Sequence, residues 1–378
     1  MAIRTVSGTH QTPTSGSVEM IAGEGKYQIV IEAFAMGFVP CGLREFMTRL
    51  GGGIGRRAAS VRRDHGVEFT FLVPKGMSGV FGPDVRYREV SETMRYVYRA
   101  FPMIKCDLYH TPHQYCTFKQ IKGASRHLMT VHDINFIHTK TGARLKRASL
   151  RFRQRMAHAS HLAFISEFAK SDVERAFPFL QPYRVIYNGV KDYSVMEQHS
   201  GEPYFAGQLP ENGFLFHLSS LEPYKNAELL VEMMRYLPDR TLVIAGRWAK
   251  NPDLRSVAVA MPNVVVLDSV SEDEKAWLYS RCTAFLFPSS AEGFGLPPLE
   301  VMKFGKPVFL SKLTSLPETG GSAAYYWQDL VPEKMAAEVT ARLSVDADRE
   351  ALLKNAARFD WDKCADEYIE YYLSILGL

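Results

Sequence analysis

Cysteine is scarce in this chain: five residues in 378, an odd number, with no Cys-x-x-Cys pair. That excludes a disulfide-stapled scaffold and a zinc module built on paired thiolates, and it fits a reducing cytoplasm. No apolar run reaches the roughly 18 residues needed to cross a bilayer. The opening stretch, MAIRTVSGTHQTPTSGS, has no apolar core and lacks the form of a secretory leader. Its Ser, Thr and Gly content marks residues 1–22 as an expected flexible tail. Low-complexity tracts and repeats of solenoid period are also missing. What is present is ordinary globular composition, 46% hydrophobic and 23% charged, at a length suited to two domains.

Acidic residues are sparse in the first half. Up to residue 195 there are 28 Lys and Arg against 15 Asp and Glu; beyond it, 17 against 26. A basic half beside an acidic half implies that the first meets something anionic. The densest run holds Arg144, Lys146, Arg147, Arg151, Arg153 and Arg155. It reads either as a solvated helix face or as a patch that rests on an anionic membrane surface. No nucleic-acid motif accompanies the charge, so nucleic acid is not an expected partner. The expected location is cytoplasmic, with peripheral attachment to the inner face of a membrane as the variant the patch allows.

Short β-branched runs without alternation recur along the chain, bounded by Gly, Pro, Asn or Asp. Gln28–Ala33, Glu68–Val73, Leu108–His110, His127–His132 and His161–Ile165 are examples early on, and Phe214–Leu218, Arg240–Ala245, Ala284–Phe287 and Pro307–Leu310 later. Strands buried on both faces of a parallel sheet read this way. Helical segments between them, such as Asn226–Tyr236 and Leu296–Phe304, predict doubly wound α/β domains. A polar Gly/Pro-bearing stretch, Gly189–Gly213, divides the units into a first domain at 23–195 and a second at 196–378. The aromatic-rich end, with Trp361, Tyr368, Tyr371 and Tyr372, is expected to pack on a neighbour, the first domain included. Ligands of open α/β sheets sit beyond the carboxyl ends of the strands, so two facing domains make a cleft lined by loops from both.

The most informative stretch runs from Phe285 to Glu300, FLFPSSAEGFGLPPLE. A strand ends at Phe287, a loop carries Glu292, Gly293 and Gly295, and Pro297 and Pro298 open a helix. Free N–H groups at a helix start attract phosphate oxygens, and glycines let backbone come close to a ligand. Glu292 and Glu300 bracket this place and would accept hydrogen bonds from hydroxyls.

These residues resemble the signature of family-4 retaining glycosyltransferases, in which two glutamates have seven residues between them, here Glu292 and Glu300 across EGFGLPPLE. Ser219-Ser-Leu-Glu-Pro-Tyr-Lys-Asn226 is similar to that family's phosphate-binding segment, and Val243–Gly246, Ser166–Asp172 and Asn188–Val190 also match. The likeness covers about residues 28–375. It implies a GT-B fold, two facing Rossmann-like domains with a cleft between. The implied activity is metal-independent, retaining transfer of a hexosyl group from a nucleotide-diphosphate sugar. The acceptor would be a glycan or polyprenyl-linked glycan of polysaccharide or O-antigen assembly, and a mannosyl group from GDP-mannose is the first expectation, with UDP as the other base. No cofactor is implied.

By the same resemblance the donor site draws on Gly53, Gly55, Ser220, Lys225, Gly246, Arg247, Glu292, Gly293, Phe294, Gly295, Leu296 and Glu300. Lys225 is expected at the diphosphate, Glu300 at the ribose and Glu292 at the sugar hydroxyls. Together with Lys225 and Glu292, His132 is the expected catalytic residue, and His110 and Asp133 are candidates on the acceptor or sugar side. The chain departs from the family pattern at Tyr224, where Arg is usual, and at Ser219, where Gly is usual. Arg247 or Arg56 is the expected substitute cation. Gly51–Gly55 reads as a glycine loop under the donor phosphate; its likeness to a dinucleotide fingerprint fails for want of an acid ~20 residues on. Asp346-Ala-Asp348 is a DxD triplet outside any strand context, read as solvent-facing, and neither His110/His113 nor His132/His138 has a third metal ligand in sequence. Two other functions share these features: a nucleotide-sugar epimerase on the same fold, and a catalytically degenerate binding or scaffold subunit.

Overall fold

The structure is a computed structural model and describes residues 25–37, 42–102, 104–197, 201–211, 213–345 and 347–378. The tail expected at 1–22, Cys41, and Asp346 of the DxD triplet lie outside them. Two wholly parallel sheets organise the chain. The first contains β1 (Tyr27–Glu32), β2 (Val67–Pro74), β3 (Arg86–Val90), β4 (Cys106–Thr111), β5 (Ala124–Val131), β6 (His161–Phe164) and β7 (Tyr183–Val185), ordered β3-β2-β1-β4-β5-β6-β7. The second contains β8 (Leu215–Ser219), β9 (Leu242–Gly246), β10 (Val264–Leu267), β11 (Ala284–Phe287), β12 (Val308–Ser311) and β13 (Tyr325–Trp327), ordered β10-β9-β8-β11-β12-β13. Central strands such as Ile29–Glu32, Leu242–Gly246 and Ala284–Phe287 are buried throughout, which is why their sequences do not alternate.

In both sheets the winding reverses beside the first strand, between β1 and β4 and between β8 and β11. These are the switch points where loops diverge and leave a crevice. The chain leaving β8 and the chain leaving β11 therefore open on either side of one gap.

Among the helices of the first unit are α1 (Gly42–His65), α2 (Met94–Ala100), α3 (Phe136–Thr139), α4 (Gly142–Met156) and α5 (Glu167–Ala176). Here one expectation is corrected. Gly51–Gly55 forms no loop; it lies inside α1. A Cβ at Gly53 would stand 2.6 Å from that of Ala365, and one at Gly55 would stand 1.9 Å from the Phe81 carbonyl oxygen. Glycine in a helix interior costs roughly 0.5–1 kcal/mol against alanine. The offset here is close packing of the helix on its neighbours.

The neighbour at Gly53 is the C-terminal helix, Trp361–Leu376, which completes the first unit's core. Trp361, Ala365, Tyr368, Tyr372 and Leu376 join Ile29, Ile31, Phe46, Leu50 and Phe69 in one apolar cluster. The Tyr368 hydroxyl lies 2.9 Å from Thr130 Oγ1, and Arg57 pairs with Asp362 and Asp366. Burial of each large side chain stabilises by about 2–3 kcal/mol, so this helix is part of the first unit although it ends the chain. Among the described residues no helix is long and apolar enough to cross a membrane.

Candidate active site

The β8–β11 switch point brings two predicted residues into contact. After β8 the chain turns through Leu221, with φ 57°, and Asn226, with φ 53°. The Asn226 side-chain amide donates to the Pro288 carbonyl at 2.8 Å, and Ser290 N–H donates to the Tyr224 carbonyl at 2.8 Å. These bonds tie the segment after β8 to the segment after β11. Lys225 Nζ then lies 2.5 Å from Glu292 Oε1, with each side chain only 12% exposed. The ammonium also lies 5.0 Å from the Tyr224 ring centre and 5.4 Å from that of Phe287. Tyr224 thus presents an aromatic face to the lysine.

Glu292 sits on a tightly held loop. Its N–H donates to Thr314 Oγ1 at 3.2 Å, and its carbonyl accepts from Ser315 Oγ at 3.1 Å. The Gly293 carbonyl accepts from Ser166 Oγ at 2.7 Å, a bond from the first unit. A Cβ on Gly293 would fall 2.2 Å from the His132 carbonyl oxygen. Glycine is required there because two backbones from different units meet. Gly295, at φ 91°, turns the chain into the helix Leu296–Met302. Pro297 and Pro298 supply no N–H, so backbone donors at this helix start reduce to the residues just before them.

The facing wall comes from the end of β5. His132 Nε2–H donates to the Pro112 carbonyl at 2.9 Å, and the ring meets Phe46 edge-on at 4.6 Å between centres. Burial lowers the imidazole to about 4, so it is neutral at pH 7 and its Nδ1 carries a lone pair. Asp133 Oδ1 accepts from Asn135 N–H at 3.0 Å, an anchor for the turn into α3. Burial raises its carboxyl, the Glu292 charge adds to that, and Lys225 opposes. Asp133 therefore shares the electrostatic environment of the Lys225–Glu292 pair from across the cleft. Gln114 holds this wall together, its amide donating to the Asp133 carbonyl at 2.7 Å and accepting from His132 N–H at 3.0 Å. Sequence reasoning passed over Gln114; its place after Thr111, which ends a strand at the first switch point, was the available signal.

The other expected residues go to several places. Glu300 is buried in the helix Leu296–Met302 and accepts from the Tyr279 hydroxyl at 2.8 Å. Burial raises its carboxyl while Lys275 and Tyr279 hold it down, and Glu272 and Glu45 act as like charges nearby. The motif's two acids thus occupy separate surroundings. Ser220, half-buried, follows β8 directly, and Leu296 is half-buried at the helix start. Phe294 is 4% exposed and packs edge-on against Phe359, so its side chain belongs to the core. Gly246 allows β9 to end against the Ser219 carbonyl, 2.3 Å from where a Cβ would be, and exposed Arg247 follows it. Arg56 pairs with Asp362 at 2.7 Å. His110 is fully buried beneath the C-terminal helix, with Nδ1 2.8 Å from the Tyr372 hydroxyl and Nε2 2.9 Å from Thr130 Oγ1. Gly53 and Gly55, buried in helix packing, likewise face no cleft. Asp348 caps the helix Arg349–Ala357 by accepting from Ala351 N–H. Among the described residues no three His, Cys, Asp or Glu side chains converge as a metal-binding set.

Two parallel Rossmann-like sheets, with strand ends and loops meeting across one cleft, define the GT-B glycosyltransferase fold. The chain superposes on Alr3699/HepE of Anabaena, solved with UDP and glucose. The TM-score is 0.69, with 18% identity, over 92% of this chain and all of that one. More particularly, residues 206–359 match the family of glycosyl transferases group 1, so the second unit carries a domain of that family. O-antigen chain mannosyltransferase B of Escherichia coli is 27% identical over 287 residues, covering 70% of this chain and 74% of that protein. The O-antigen chain mannosyltransferase RfbU of Salmonella typhimurium is 25% identical over 206 residues; this chain spans 55% of its length.

Proposed function

We propose that this protein is a retaining, metal-independent hexosyltransferase of O-antigen or related polysaccharide assembly. The donor is a nucleotide-diphosphate sugar, with GDP-mannose the first choice, and the acceptor is a glycan or lipid-linked glycan. The observation that supports this most is the Lys225–Glu292 pair, poised at the β8–β11 switch point opposite Asp133. An ammonium and a carboxylate at hydrogen-bond distance offer one group to a diphosphate and the other to sugar hydroxyls. The two units already touch through Ser166 and Gly293 and through Asn135 and Ala291, so donor and acceptor meet where water is largely displaced.

In this reading the donor exchanges the Lys225–Glu292 contact for its own. Lys225 neutralises the leaving diphosphate, Glu292 orients the hexose, and Glu300, fixed by Tyr279, takes ribose hydroxyls. His132, neutral, offers a hydrogen-bond acceptor to the sugar or acceptor. Glu292 is engaged at hydroxyls and not at the reactive face, so the favoured course is front-face displacement through an oxocarbenium-like state. The leaving phosphate oxygen takes the acceptor's proton. Exposed Arg144, Lys146, Arg147 and Arg153 of α4 rest against anionic lipid.

The test begins with a thermal-shift screen of UDP, GDP, ADP and their sugars, since a ligand of the folded state raises its stability. Transfer from the stabilising donor is then followed by NMR of the new anomeric centre, with and without EDTA. Net retention that is insensitive to EDTA is expected. Inversion, loss of turnover with EDTA, or a new sugar nucleotide formed without acceptor would each refute the corresponding part.

A further inference from the structure

A cavity of about 660 Å³ opens in the first unit between α2, the β4–β5 connection and α4. Its wall carries Arg99, Lys119, Lys140, Arg151 and Arg155, together with Arg95. Arg95 is neutralised by Glu92 at 2.5 Å. Among the described residues none of the other five has a carboxylate within ion-pair distance. Arg155 is held in place, its Nη1 donating to the Cys116 carbonyl at 2.8 Å and its guanidinium lying 5.8 Å from the Tyr115 ring centre. Lys119 is pushed down by burial and by the charges of Arg99 and Arg155. Like charges facing one space repel by an amount that rises as water leaves it, so the arrangement is completed by a multivalent anion. Arg forks suit the oxygens of a phosphate ester.

Two more features say which anion. The cavity adjoins the cleft: Tyr115 lines it, and the preceding Gln114 positions His132 and Asp133. Part of its wall is aromatic: Tyr96, 62% exposed, and Tyr115 both line it. A cationic cavity with aromatic faces in its wall, beside a reaction cleft, matches an amphiphile whose charged head lies near its reacting sugar. We propose that this cavity binds the diphosphate ester of a lipid-linked acceptor. The proposal rests on the glycosyltransferase reading of the cleft and adds the acceptor's class: a glycan short enough for its diphosphate to sit one chain segment from the reacting hydroxyl.

The test uses the full chain with UDP or GDP at saturation, which fills the donor pocket, and geranyl diphosphate as the probe. Arg99 and Arg151 are both exposed, so Arg99→Ala/Arg151→Ala leaves the core alone. The expected result is calorimetric binding to the wild type that weakens at least about tenfold in the double variant, as loss of charged hydrogen bonds implies. Geraniol should not bind, and nucleotide affinity should be unchanged. Equal binding of geranyl diphosphate to both proteins overturns the proposal. A second arm sediments both proteins with phosphatidylglycerol or phosphatidylcholine vesicles. If the variant loses the anionic vesicles yet keeps geranyl diphosphate, the cations serve membrane headgroups and the proposal is equally overturned. No turnover is read, so failure here leaves the donor reading standing.

Discussion

A carboxyl buried without a full set of partners is where single residues speak most clearly. Glu32 ends β1 at the first switch point, 1% exposed, and its Oε2 has no hydrogen-bond partner. Burial lifts it to about 7, against 4.5 in the unfolded chain. Between those values the folded state binds a proton that the unfolded state does not. Glu32 is therefore tolerated fully below pH 4.5, and stability is lost as pH rises through 7. A shift of this size corresponds to at most about 3 kcal/mol. His127, His132 and His217, lowered to about 4 by burial, act with the opposite sign, removing stability as pH falls below 6.5. They are common to wild type and variant and cancel in the difference. Glu32→Gln should gain stability over wild type progressively from pH 5 to 8, by up to about 3 kcal/mol, with no gain below pH 4.5. Urea unfolding across that range checks it; a difference independent of pH would contradict the assignment.

Among elements, α1 shows why a glycine-rich stretch is hard to read. Gly51-Gly-Gly-Ile-Gly has the composition of a loop, yet its surroundings make it helix. Nothing local says so, because what rewards the glycines is contact with Phe81 and with a C-terminal helix some 300 residues on. Two substitutions separate packing from ligand contact. A methyl at Gly52 meets only the flexible Arg56 guanidinium at 3.6 Å, so Gly52→Ala should stabilise by about 0.5–1 kcal/mol. At Gly55 it would strike the Phe81 backbone, so Gly55→Ala should destabilise by about 1–3 kcal/mol with nucleotide affinity unchanged. Equal stability of the two variants, or a Gly55→Ala effect confined to nucleotide affinity, would contradict the packing role. The central strands were legible because burial on both faces leaves a continuous apolar run. Two edge strands were not: β3, Arg-Tyr-Arg-Glu-Val, is mostly charged, and β13 is only three residues long.

At the scale of the whole molecule, the chain crosses between units twice at one place. Gly189 lies against Trp361, and Val190 N–H donates to the Phe359 carbonyl at 3.2 Å. Nearby, the Glu318 carboxylate of the second unit accepts from Glu167 and Phe168 N–H at the start of α5, 2.7 and 2.9 Å away. This is a carboxylate at a helix N-terminus, where both the free donors and the dipole favour it. The cleft is thus held by a few specific bonds at its base. Sequence motifs identified Lys225, Glu292 and the segments bearing them. They did not show that Lys225 and Glu292 pair with each other, or that Gln114 organises the opposite wall, because both facts depend on which strand ends become neighbours.

The most direct measurement is calorimetric titration of the stabilising nucleotide sugar into wild type and Lys225→Ala, with Gly52→Ala as an unrelated surface control. If a diphosphate lies at Lys225, that variant should bind at least about tenfold more weakly, the loss of one charged hydrogen bond to phosphate, while remaining folded and while the control binds as wild type does. Identical affinity in Lys225→Ala and wild type would contradict a donor diphosphate at the β8–β11 switch point.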